Sequence, residues 1–127
     1  MKAIILLLFV SFSALAGFSG HWRNHGDSSD LTIELIEERG HISGRYCFIT
    51  NKGNRVDCAE EGDMNTSGII NNNVATVTFM STFGGTGKAT LTINNGKLIF
   101  VLKDNKPFVE ANMSVPAVIV FDRIITE

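Results

Sequence analysis

The sequence predicts an all-β domain: an eight-stranded antiparallel meander closed as a small barrel and stapled by one disulfide, with a two-sheet β-sandwich as the alternative. Three observations carry this expectation. Apolar and polar residues alternate with the period of two that gives a strand one dry and one wet face. Short runs rich in Val, Ile, Thr and Phe are separated by Gly and Asn, with no helical stripe of comparable length. Eight such strands laid flat would leave two open edges, which closure removes.

The chain of 127 residues opens with Met1 and Lys2, an apolar run from Ala3 to Phe12, and Ser13-Ala14-Leu15-Ala16, with small residues where a signal peptidase reads. This pattern predicts a signal peptide over 1–16 and a single domain over 17–127. The run is shorter than the ~20 apolar residues of a membrane-spanning helix. No later segment is apolar enough to replace it, so no membrane insertion is expected after signal removal. The expected location is periplasmic or secreted.

Candidate strands then follow in order at His21–His25, Leu31–Glu38, His41–Asn51, Ser67–Asn71, Val74–Thr82, Lys88–Asn94, Lys97–Lys103 and Ala117–Ile124. Between them, Arg39-Gly40, Asn71-Asn72-Asn73 and Asn94-Asn95-Gly96 supply residues that tolerate positive φ, as tight hairpins demand. Ala75, Val77 and Phe79 face one way and Thr76 and Thr78 the other. Ala89, Leu91 and Ile93 likewise oppose Thr90 and Thr92. Lys97–Lys103 is apolar on both faces, which predicts cover on its outside.

Cys47 and Cys58 are the only cysteines. Both lie in the part expected to meet an oxidising compartment, so they should pair. Closing a loop of about a dozen residues contributes roughly 3 kcal/mol.

Two local patterns carry resemblances. Gly20-His21-Trp22 matches the Gly-x-Trp opening of calycin barrels, the group that contains lipocalins and avidins, and Arg123 stands near the end of the last strand. The chain therefore resembles that group, and the resemblance implies that Arg123 packs on Trp22 as a structural, barrel-closing stack. Ser43-Gly44-Arg45-Tyr46 is similar to the Ser-Gly-x-x-Tyr patch of the small periplasmic C-type lysozyme inhibitors, with one residue fewer before the Tyr. That resemblance implies that Ser43 and a basic residue, here Arg45, are presented to an enzyme cleft.

Several chemistries are excluded or left without support. With Lys2 removed from the 11 basic residues, 10 remain against 13 acidic ones, a formal net of −3. No basic cluster exists to neutralise phosphates, so no nucleic-acid partner is expected. Gly84-Gly85-Thr86-Gly87-Lys88 fails as a phosphate loop, because Thr82 stands where the first Gly belongs and Ala89 where Ser or Thr should follow the Lys. Of the three histidines, His21, His25 and His41, the first two share a strand face but lie about 13 Å apart on a regular strand, too far for one zinc ion unless a turn after Trp22 brings them together. Asp57, Glu60, Glu61 and Asp63 read as a solvated acidic loop beside Cys58. Neither the Ser43 and His41 pair nor the adjacent Glu37 and Glu38 forms a catalytic motif. No enzyme, metal or cofactor is expected.

The remaining reading is an exported protein-binding module, an inhibitor or immunity protein acting on a cell-wall hydrolase, whose partner is another envelope or secreted protein. Its candidate contacts are the Ser81–Lys88 loop (Phe83, Gly84, Gly85, Thr86, Gly87 and Lys88), the Asp57–Asp63 loop (Asp57, Glu60 and Glu61), and Ser43 with Arg45. Phe83 is expected either as an exposed anchor or as a plug over the barrel mouth. The alternative is a calycin-like carrier of a small hydrophobic ligand, with Phe79, Leu91 and Phe100 lining a cavity. Asn65-Thr66-Ser67 and Asn112-Met113-Ser114 fit the N-glycosylation pattern.

Overall fold

A computed structural model of the chain describes residues 17–104 and 117–125, which form one antiparallel sheet of nine strands. These are β1 (Gly20–His25), β2 (Asp30–Glu38), β3 (His41–Thr50), β4 (Arg55–Cys58), β5 (Thr66–Asn71), β6 (Val74–Met80), β7 (Thr86–Asn94), β8 (Lys97–Asp104) and β9 (Val118–Ile124). The order β2-β1-β9-β8-β7-β6-β5-β3 returns to β2 through a β2–β3 ladder, so eight strands close a barrel and β4 is added on β3. Closure rules out the sandwich arrangement. Each expected strand is present, and β4 is one the sequence pattern did not signal. The predicted signal segment 1–16 and Asn112 lie outside the described residues.

The two ends of the barrel differ. At the hairpin end, Arg39-Gly40, Asn72-Asn73 and Asn95-Gly96 all have positive φ, between 52° and 79°. Two consecutive left-handed residues make the turn whose twist matches the flanking strands. Residues 17–19 cross this end. Phe18 is buried beneath Trp22, whose indole Nε1 donates to the Phe18 carbonyl at 2.9 Å. The Arg123 guanidinium lies 4.2 Å from the centroid of the Trp22 ring and donates to the carbonyls of Ser19 (2.6 Å) and Gly17 (3.0 Å). Glu37 accepts from the Phe18 amide at 2.9 Å, which completes this closure.

Aromatic rings fill the interior. Tyr46 and Phe48 from β3 meet Phe79 from β6, Phe100 from β8 and Phe121 from β9 at centroid separations of 4.7 to 6.4 Å. The expected alternation holds, with Ala75, Val77 and Phe79 buried and Thr76 and Thr78 exposed. On the outer face, Ile99 and Val101 are half-buried, and they sit opposite Val120 and Val118 across the β8–β9 ladder.

The wall changes construction along β3. Its first half, His41 to Gly44, pairs with β5, and its second half, Cys47 to Thr50, pairs with β4 on the same edge. β4 and β5 run in the same direction and together act as one interrupted strand, with residues 59–64 looping out between them. Gly44 marks the change. A Cβ there would lie 1.9 Å from the Glu34 carbonyl oxygen, so only glycine lets β2 approach so closely.

Asn65 bridges the interruption. Its Oδ1 accepts from the Tyr46 amide at 2.8 Å, and its Nδ2 donates to the Tyr46 carbonyl at 3.1 Å. The side chain thus replaces the missing rung of the ladder, as a buried backbone pair requires a partner. Asn65 is only 6% exposed, and in the folded chain its amide is occupied by Tyr46.

Candidate functional site

The loop end of the barrel is organised around a carboxylate that the sequence reading placed in a solvated loop. Asp57 is on strand β4, 2% exposed, and its side chain points inward. Pairing of Cys47 with Cys58 puts Asp57 opposite Phe48, between the outward-facing Val56 and Cys58. The carboxylate receives four hydrogen bonds. Oδ2 accepts from the Ser81 hydroxyl at 2.7 Å and from the Tyr46 hydroxyl at 3.1 Å, whose single proton is shared with the Met80 carbonyl, also at 3.1 Å. Oδ1 accepts from the Thr82 amide at 3.0 Å and the Thr82 hydroxyl at 3.1 Å. Donors on every side compensate the burial of a charge that would otherwise be costly. Burial, reinforced by the Asp57 charge, holds the Tyr46 phenol far above its ordinary pKa.

These bonds fix the segment that leads into the glycine-rich turn. Ser81, whose hydroxyl is held by Asp57, accepts from the Phe83 amide at 3.1 Å. Its backbone closes the turn, with the Gly84 amide donating to Ser81 O at 3.0 Å and the Ser81 amide to Gly85 O at 3.1 Å. Phe83 emerges 55% exposed and is not folded in as a plug over the mouth. The Arg55 guanidinium lies 3.7 Å from the centroid of its ring. A cation over an aromatic face is attracted by the ring quadrupole, and here the pair joins β4 to the β6–β7 connection. Asp57 and the Phe83 loop, expected as two separate contacts, are thus one unit.

The other expected contacts are placed elsewhere. The loop is shorter than Ser81–Lys88, since Thr86, Gly87 and Lys88 already belong to β7. Gly87 is buried and serves packing, because a Cβ there would come within 2.4 Å of the Phe79 ring. Lys88 and Thr86 are exposed on β7, Thr86 opposite Met80. Glu60 and Glu61 are exposed in the 59–64 excursion, where the Asp63 amide donates to Glu60 O at 2.9 Å.

Arg45 and Ser43 face the outer wall, away from the Phe83 tip. Arg45 lines a groove of about 520 Å³ with His21, Glu34, Ile36, Glu61, Asp63 and Met64, and its Nη2 donates to Ala59 O at 2.7 Å. Ser43 lies in an adjoining recess of about 400 Å³ with Ile36, Glu38, Arg39 and His41. The three histidines are dispersed: His21 Nδ1 is 3.6 Å from Glu34, His25 Nδ1 is 3.7 Å from Asp30, and His41 Nδ1 is 3.3 Å from Arg39 O. Among the described residues no group of three or more His, Cys, Asp or Glu side chains is placed to hold a metal ion.

Phe79, Leu91 and Phe100, the expected cavity lining, pack around a residual void of about 10 Å³. Arg55 is the site residue that sequence reasoning missed. The available signal was its position three residues before Cys58, on the chain that must run back along β3 once Cys47 and Cys58 pair.

Among the described residues no helix is long and apolar enough to cross a membrane, and the Cys47–Cys58 bridge is compatible with an extracytoplasmic compartment. Comparison of the chain with protein-family models, with curated protein sequences and with solved structures finds no match.

Proposed function

We propose that the chain is an exported, non-enzymatic protein-binding module, an inhibitor or immunity protein directed at a cell-wall hydrolase. Its contact is the loop end of the barrel. The observation that carries this reading is the Phe83–Arg55 pair, an exposed aromatic ring on a turn whose approach is fixed by a buried carboxylate, with the guanidinium of Arg55 on β4 over it. Aromatic and Arg side chains dominate binding energy at protein interfaces. A turn ordered before binding loses less entropy on docking.

The packed interior supports recognition at the surface over carriage, because a small-molecule site occupies some 300 Å³ or more and the barrel keeps a void of about 10 Å³. The lysozyme-inhibitor resemblance at Ser43 and Arg45 adds a second face, the outer-wall groove, to be compared with the tip.

The test is clearance of a peptidoglycan suspension by a panel of wall hydrolases, a C-type lysozyme among them, with the isolated protein added. The expected result is saturable inhibition of at least one enzyme, weakened roughly 30-fold or more by Phe83→Ala, the size of an interface hot spot. Inhibition that survives Phe83→Ala and Arg55→Ala but is lost with Arg45→Ala would move the contact to the outer wall. Absence of inhibition across the panel would overturn the hydrolase reading.

A further inference from the structure

We infer that the Cys47–Cys58 bridge is a redox control on the Phe83 tip, separable from the barrel itself; the inference rests on the tip being the binding surface. Three observations meet here. First, β4 is four residues long, lies outside the eight closing strands, and its one strand neighbour is β3. Second, the disulfide joins β4 to β3 at Cys58, the residue next to Asp57, so the covalent tether and the acceptor that fixes Ser81 and Thr82 are adjacent. Third, Cys47 lies between the inward-facing Tyr46 and Phe48, so the bridge is on the outer face, and both cysteines are half-buried rather than sealed in the core.

A dithiol can therefore reach the bridge. Its thiolate attacks one sulfur, the Cys47–Cys58 bond breaks and a mixed disulfide forms. The second thiol of the reductant then displaces the protein sulfur. Two electrons and two protons pass to Cys47 and Cys58, and the reductant leaves as its own disulfide. The eight-stranded closure contains no other covalent link and does not need this one, since β3 keeps its ladders with β2 and β5. What loosens is β4, and with it the Asp57 carboxylate. The Thr82 amide then loses its acceptor and the Phe83 turn becomes disordered on a barrel that stays folded.

The experiment is residue-resolved amide hydrogen exchange on the oxidised protein and on the protein reduced with dithiothreitol. The expected result is exchange at Thr82 and Phe83 at least ~10-fold faster after reduction, with the Ala75 and Leu91 amides of the β6–β7 ladder unchanged, as for a local opening. Cys47→Ser/Cys58→Ser should reproduce the reduced pattern without reductant. Asp57→Asn should accelerate exchange at Thr82 with the bridge intact. Unchanged protection at Thr82 after reduction overturns the inference, as does loss of protection at Ala75 and Leu91 together with Thr82, which would make the bridge a support of the whole fold. Neither result depends on a partner, so a failure here is distinct from a failure to inhibit any hydrolase.

Discussion

At the hairpin end of the barrel, backbone turns between residues close in sequence return the strands and a long-range stack of Arg123 on Trp22 seals the closure, whereas the loop end is held around the buried Asp57 carboxylate and the Asn65 amide. At the hairpin end, two-residue turns with positive φ return each strand directly to its neighbour, and the 17–19 segment is sealed under Trp22 and Arg123. At the loop end, Asp57 reaches Ser81 and Thr82, 24 and 25 positions away, and Asn65 stands in for backbone across from Tyr46. The first end shows how the cylinder is closed. The second shows where it can afford, at the cost of a buried carboxylate, an ordered turn that projects an aromatic ring into solvent.

Substitutions at the two ends should therefore have different reach. Trp22→Ala removes a fully buried ring and the stack under Arg123, and should lower stability by about 3–5 kcal/mol, as large aromatic-to-alanine changes do. Chemical denaturation should show one cooperative transition at lower midpoint, with both ends lost together. Asp57→Ala should cost about 2–3 kcal/mol, because it leaves Tyr46, Ser81 and two Thr82 donors without their charged acceptor. Its signature is loss of amide protection at the loop end before the β6–β7 ladder. A loss equal at both ends would erase the contrast.

Alkaline titration sharpens the same contrast, since Tyr46 is the only tyrosine and its hydroxyl is part of the Asp57 network. Burial, then the nearby carboxylate, raises its folded pKa far above the ordinary value of 10.0. Its contribution is complete below that value and is lost as the unfolded chain ionises, at about 1.4 kcal/mol per pH unit above it. Absorbance near 295 nm should stay flat until the protein unfolds. A smooth tyrosinate titration of the folded protein near pH 10 would show that the network is open to water.

The smallest effect is expected at Asp30. The hydrogen bonds from Arg23 hold its carboxyl below the ordinary range, so the pair's contribution is present at neutral pH and lost as pH falls through the lowered value. Both side chains are substantially exposed, so Asp30→Asn should shift the denaturation midpoint barely above error, and not at all in high salt.

The same contrast sets what could be read from sequence. Strand alternation, Asn-Gly turns and the pairing of two cysteines are local or compositional signals, and they predicted eight strands and the closed barrel. β4 escaped because Arg55-Val56-Asp57-Cys58 is short and its inward residue is a carboxylate, which breaks the apolar period that marks a strand. Asp57 looks like its neighbours Glu60 and Glu61 until the Cys47–Cys58 pair is used as a register: it then falls opposite Phe48 and must point inward. Asn65 carried a glycosylation pattern, and nothing local distinguishes that from an amide that mimics a strand. Phe83 was recognisable as an aromatic at the head of a glycine run, but Arg55 comes into view as its partner only once the Cys47–Cys58 pair sets the register of β4 on β3.

The central claim is that a buried carboxylate makes the Phe83 turn rigid before any partner arrives. Backbone ¹⁵N relaxation on the oxidised protein tests it directly through the Thr82 and Phe83 amides. The account predicts order parameters close to those of the strands, about 0.85, and values below about 0.6 would contradict it.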